Sequence, residues 1–254
     1  MDAYIIHKIA LYVKDSKIVK LLFYISIYRD LINTSDSHYD ELVLLYSKKN
    51  WDYPWTTLTE NTNDFKIIKS FYRLNIPFTS AVYMDHINLA AENGHLELLK
   101  WLYVYENQYG GKSTTFTMDC AAFNGHLEIV KWLHENRKEG CSFYAMDRAA
   151  YKGHLEVIKW LHENRKEGCS KNAMNYAACK GHLEVIKWLH ENRTEGCTTG
   201  AINMAASNGH IEVVKWLYQN RYECSRTIWD KRIARDNAVR YGHFALARWF
   251  STID

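Results

Sequence analysis

The chain repeats itself. A Gly-His pair stands at Gly94, Gly125, Gly153, Gly181, Gly209 and Gly242, at intervals of 31, 28, 28, 28 and 33 residues. A pair of small residues precedes each: Ala90-Ala91, Ala121-Ala122, Ala149-Ala150, Ala177-Ala178 and Ala205-Ala206, drifting to Ala238-Val239 in the last copy. An amphipathic stretch follows each, and His154 to Leu161 recurs letter for letter at His182 to Leu189. A worn copy runs from Asn63 to Phe71. A unit this short cannot bury its own apolar face, so successive units must stack on one another.

Each unit reads as helix, glycine turn, helix, short loop. In one clear copy the first helix runs from Tyr144 to Lys152, with Ala145, Met146, Ala149 and Ala150 forming a small-residue face. Gly153 ends it, because glycine takes a left-handed cap without strain. The second helix places Leu155, Ile158 and Leu161 at three-residue spacing, and these are its expected core residues. Arg165-Lys166 suit the negative end of that helix, and Gly168 stops it. Trp101, Trp132, Trp160, Trp188, Trp216 and Trp249 hold one equivalent position. A packing ladder between repeats is the simplest reading; a ligand-binding aromatic row is the alternative.

These residues resemble the ankyrin repeat. Its middle, Ala-Ala-x-x-Gly-His-Leu-Glu-Val-Val-Lys-x-Leu, fits from Ala205 to Leu217 with Ile211 in the leucine slot. Tyr144-Ala145-Met146-Asp147 stands where the family has Thr-Pro-Leu-His, and the period is 28 residues rather than 33. The missing residues fall in the connecting loop, which implies a β-finger reduced to a turn. The Trp-Leu-His-Glu-Asn-Arg variant, as at Trp160 to Arg165, looks like the arrays of giant DNA viruses and amoebae. The fold expected is an all-α helical solenoid of stacked ankyrin-like helix-turn-helix repeats with short loops. Residues 61–254 form the array; residues 1–60 are a helical cap or an F-box-like segment, and Asn50 to Thr57 reads as a junction.

Charge and cysteine placement narrow the function. Against 32 basic residues stand 29 acidic ones, for a formal charge of +3. That balance argues against a general polyanion binder. The longest uncharged run within residues 1–32, Leu21 to Tyr28, is far below the roughly 20 apolar residues of a membrane span. Cys141, Cys169, Cys197 and Cys224 recur once per repeat. Stacked helices lie about 8–10 Å apart, beyond the roughly 7 Å limit for bridged cysteine Cα atoms. Free thiols and an intracellular, cytoplasmic location are therefore expected, in the host cytoplasm or the virion if the chain is viral.

The second helices are nearly constant while the first helices vary. Positions nine, five and two residues before each glycine share one helix face. They read Phe116, Cys120, Phe123; Tyr144, Arg148, Tyr151; Asn172, Tyr176, Cys179; Gly200, Met204, Ser207. A varying face on a fixed scaffold is where a solenoid carries specificity, and aromatic and arginine side chains are common interface anchors. Variable core packing, above all at the middle position, is the other reading. The six histidines of the Gly-His turns read as scaffold, and His162-Glu163 lacks the second histidine of a zinc protease. No phosphate loop, nucleophile elbow or acid pair stands out, so neither enzyme, metal nor cofactor is expected.

The expectation is a protein-binding adaptor or scaffold with a partner on the variable first-helix face. Its sharpest form is a substrate receptor engaging a ubiquitin ligase through residues 1–32. A structural or virion-associated assembly component is the alternative. A single-stranded RNA reader stacking bases on Phe116, Tyr144 and Tyr176 is disfavoured by the near-neutral charge.

Overall fold

The structure is a computed structural model that describes residues 80–106, 114–221 and 228–253, within a compact unit of Ser80–Asp254. Residues 1–60, the worn copy at 63–71 and Cys224 lie outside the described residues. Among the described residues there are twelve helices and no strand. They pair as α1 (Ser80–Glu92) with α2 (Leu96–Tyr103), α3 (Thr115–Phe123) with α4 (Leu127–Asn136), and α5 (Phe143–Lys152) with α6 (Leu155–Asn164). Then come α7 (Lys171–Lys180) with α8 (Leu183–Asn192), α9 (Thr199–Ser207) with α10 (Ile211–Asn220), and α11 (Ile228–Arg240) with α12 (Phe244–Phe250). This is an all-α helical-repeat solenoid, and the described loops between repeats, residues 137–142, 165–170 and 193–198, hold no strand where a β-finger would stand.

Each first helix packs against the next first helix, and each second helix against its own first. The first-helix row is the closely spaced one, because the alanine pairs meet there; all five Ala-Ala pairs are fully buried. Second helices meet neighbours through longer side chains. Their core stripe in α6 is Val157, Ile158 and Leu161. Leu155, expected in that stripe, opens the helix and is only half-buried. Burial of each such aliphatic side chain contributes about 1.5–3 kcal/mol.

The glycine turn locks repeat to repeat. Gly153 has φ 81°, and the His154 N–H closes α5 by donating to the Ala149 carbonyl at 2.9 Å. The His182 ring of the following repeat lies on Gly153, so close that a Cβ there would meet its Nδ1 at 2.7 Å. Glycine is thus required twice, for the backbone angle and for the space. His182 Nε2 then donates to the Tyr151 carbonyl at 3.1 Å. His126, His210 and His243 do the same to Glu92, Cys179 and Ser207 at 2.9, 3.1 and 3.0 Å. A carbonyl only accepts, so every one of these rings carries its proton on Nε2. The scaffold role expected for these histidines is what the geometry shows.

A second lock runs along the first-helix N-termini. Ser142 caps α5 by accepting the Tyr144 N–H at 3.1 Å. Its own hydroxyl and N–H donate to the Asp119 carboxylate of the preceding repeat at 2.6 and 2.9 Å. Ser170 treats Asp147 in the same way at 2.5 and 2.8 Å. In the next step Asn175 replaces the acid: its Oδ1 accepts the Thr198 N–H and its Nδ2 donates to the Thr198 hydroxyl, both at 3.0 Å. Burial raises the Asp119 and Asp147 carboxyls, and the serine hydrogen bonds oppose that rise.

The tryptophans form a third ladder. Trp160, Trp188 and Trp216 each meet the edge of a histidine in the preceding repeat, His134, His162 and His190, at 5.2, 5.2 and 5.1 Å between centroids. Tyr103 and Tyr218 take the histidine's place beside Trp132 and Trp249. The inter-repeat packing reading holds, but the rings are half-buried rather than enclosed. Arg165 and Lys166 do not sit in the last turn of α6, which ends at Asn164. The Asn164 side chain already satisfies the Trp160 carbonyl at 2.8 Å. Arg165 instead swings out to Glu167 and back to His134 Nδ1 at 3.2 Å. Burial alone would raise the Glu167 carboxyl; the Arg165 hydrogen bond and charge outweigh it and hold it below the usual glutamate value.

The thiols need one correction. Cys120, Cys141, Cys169 and Cys179 are free, but Cys197 is disulfide-bonded. The stacking distance constrains helix axes, whereas Cys197 precedes α9 in a connecting loop not bound to that spacing. Burial pushes the Cys120, Cys141 and Cys169 thiols up to about 12, which leaves them protonated and unreactive.

Two measurements check this packing. Trp160→Ala is expected to destabilise the array by about 2–3 kcal/mol in urea denaturation, less than the roughly 3–5 kcal/mol of a fully enclosed ring; a loss under about 1 kcal/mol contradicts the ladder. The second is pH. Burial lowers His86 to about 4 and lowers His154 and His182. The folded values lie below the unfolded one, so their stabilisation is complete above about pH 6.5 and is lost as pH falls through it. Unfolding free energy should drop between pH 7.5 and 5.5, with His86 alone accounting for roughly 1 kcal/mol, and should drop less in His86→Asn. A stability that holds or rises over that range contradicts the assignment.

Candidate protein-binding surface

The varying side chains emerge from a backbone that the locks hold in place. The residue two before each glycine gives its carbonyl to the next repeat's histidine, as Tyr151 and Cys179 do. Its side chain is thereby left to vary. Tyr144, Phe116 and Tyr176 are 48%, 44% and 36% exposed, and Asn172 is exposed as well. Phe123, Arg148, Tyr151, Cys179, Met204 and Ser207 are half-exposed. Cys120 is 6% exposed and is withdrawn from the surface. It lies at the middle position of α3, against the buried Ala121 and Ala122, so that position is core there and surface at Tyr176.

Three repeats share one aromatic strip. The Phe123 and Tyr151 rings stack at 6.3 Å, and Tyr151 meets Tyr176 edge-on at 5.9 Å. Tyr144 packs on Phe143 at 4.3 Å, and the Arg148 guanidinium lies over the Tyr144 ring, 5.6 Å from its centroid. Lys152 sits over Phe123 at 4.9 Å and Lys180 over Tyr151 at 4.8 Å. Beyond the strip the face turns small and polar. The Ser207 hydroxyl donates back to the Asn203 carbonyl at 2.9 Å, and Asn208 reaches Cys179 Sγ at 3.7 Å. Asn172 gives its N–H to the Ser170 hydroxyl and points its side chain outward.

Reading triplets of positions finds the tyrosines but misses Lys152 and Lys180, one residue before their glycines. A cation at that place in two consecutive copies was the available signal. The Asp119–Ser142 lock was also missed. Its signal is an Asn or Asp six residues before Gly94, Gly125, Gly153, Gly181 and Gly209, paired with a Ser or Thr opening the next first helix.

Among the described residues no group of three or more His, Cys, Asp or Glu is placed to hold a metal ion. No described helix is long and apolar enough to cross a membrane. A search of curated proteins found no match. Family profiles do match: one described as Ankyrin repeats (3 copies) over residues 146–228, and one described as Ankyrin repeats (many copies) over residues 87–134 and 118–162. Together they run from residue 87 to 228, more than half of the chain, and with the Gly-His locks and paired helices described above they place it in the ankyrin-repeat family.

Proposed function

We propose that this array is an adaptor or scaffold that binds a protein partner on its first-helix row. Ankyrin repeats are in general protein–protein interaction modules. The observation that carries the reading here is the exposure of aromatic and arginine side chains on a backbone locked at Tyr151 and Cys179. Large aromatic groups held at low entropy are the usual anchors of an interface. A sharper form has residues 1–32 engaging a ubiquitin ligase while the first-helix row presents a substrate. It rests on the F-box resemblance of that segment. The alternative, a structural or virion-associated assembly component, rests on the Trp-Leu-His-Glu-Asn-Arg variant and would use the same stacking surfaces.

Replacing Arg148 and Tyr151 together with alanine tests the surface. Neither side chain is buried, so far-UV circular dichroism and the unfolding midpoint should stay close to wild type. Affinity for a partner recovered from the native cell should fall by about 2 kcal/mol or more. An unchanged affinity with an intact fold removes this row from the interface.

A further inference from the structure

The near-neutral composition hides a segregated face. Along the four first helices α3, α5, α7 and α9 the acids are Asp119 and Asp147, and both are buried and tied to serines. The cations on the same helices, Arg148, Lys152, Lys171 and Lys180, are all exposed or half-exposed. In the intervening loops Glu139, Glu167 and Glu195 are each paired with an arginine. The exposed acids Asp85 and Glu92 lie on α1, so the cationic strip begins only after it. Of the second helices, by contrast, α4, α6, α8 and α10 carry a Glu–Lys pair at three-residue spacing, such as Glu156–Lys159, and α4, α6 and α8 add an exposed acid, Glu135, Glu163 and Glu191.

We infer that the strip from Phe123 to Lys180 receives an extended acidic peptide segment of the partner, which rests on the protein-binding reading above. Lys152 and Lys180 are positioned over ring faces, so each ammonium is oriented while still exposed to an incoming carboxylate. The Tyr144, Tyr151 and Tyr176 hydroxyls add donors for the same oxygens. Equivalent positions in stacked helices repeat about every 8–10 Å, and an extended chain advances about 3.3 Å per residue. The matching segment therefore carries acids about three residues apart. Single-stranded RNA would need free ring faces for its bases. Here one face each of Phe123, Tyr151 and Tyr144 is taken by Lys152, Lys180 and Arg148.

The test is selection of random twelve-residue peptides displayed on phage against the full chain, with affinities of enriched peptides then measured by fluorescence anisotropy. The expected winners carry Asp or Glu about three apart. Their binding should weaken at least about tenfold when the acids become amides, and by a similar factor on Lys152→Gln/Lys180→Gln, whose circular dichroism should match wild type. Both lysines are exposed or nearly so, and neither substitution removes a core contact. Neutral or basic winners overturn the acidic inference. If those winners are lost on Tyr144→Ala/Tyr151→Ala, the protein-binding reading survives; if they are indifferent to it, or if no peptide is enriched, both readings fall. A twelve-residue oligouridine that binds more tightly than the best peptide also overturns the inference, in favour of nucleic acid.

Discussion

The contact on which this structure depends is an imidazole laid over a glycine. Each Gly-His turn serves three helices at once. Its glycine ends one helix in a left-handed conformation, its histidine N–H closes that helix, and its ring reaches back to the preceding repeat. The ring fills the space a Cβ would need at Gly94, Gly125, Gly153, Gly181 and Gly209. At Gly242 nothing among the described residues lies within 4 Å of that place, and Val239 and Phe244 are exposed where earlier repeats bury or half-bury their counterparts. The burial of each repeat's small residues thus comes from the repeat that follows, as stacking requires.

That lock also separates what is held from what varies. The interlock uses main-chain carbonyls on the first helix, at Glu92, Tyr151, Cys179 and Ser207, and makes no demand on their side chains. The capping lock uses one inward position per helix, Asp119, Asp147 or Asn175. The remaining outward positions of the first helices can change from Phe116 to Tyr144 to Asn172 to Gly200 without disturbing a neighbour. Charge follows the same division: the acids of these helices are spent inside the locks, and the cations remain outside among the aromatic rings.

The fold was legible because its determinants are local and repeated. Six Gly-His turns, the alanine pairs and the tryptophan register announce stacked helix pairs before any coordinate is known. Side-chain direction was less so. The position five before the glycine holds buried Cys120, half-buried Arg148 and exposed Tyr176, so its place in the repeat does not by itself fix its burial. The end of α6 was placed too late, at Gly168, because the backbone turns extended already at Arg165, where Asn164 bonds the Trp160 carbonyl. Cys197 escaped because a loop cysteine is free of the spacing that separates helix axes. The cationic strip was invisible in a net charge, since burial of two aspartates is a property of the stack and not of the count.

Ring and glycine act as one unit across the repeat boundary. A double-mutant cycle on Gly153 and His182 tests it most directly, by equilibrium urea denaturation. With His182 present, Gly153→Ala has to bear both left-handed strain, about 1–2 kcal/mol, and displacement of a ring that would stand 2.7 Å from the new Cβ. In a His182→Ala background the ring is gone and only the strain remains. Gly153→Ala should therefore be more destabilising in wild type than in that background by at least about 1 kcal/mol. Equal costs in the two backgrounds would contradict it.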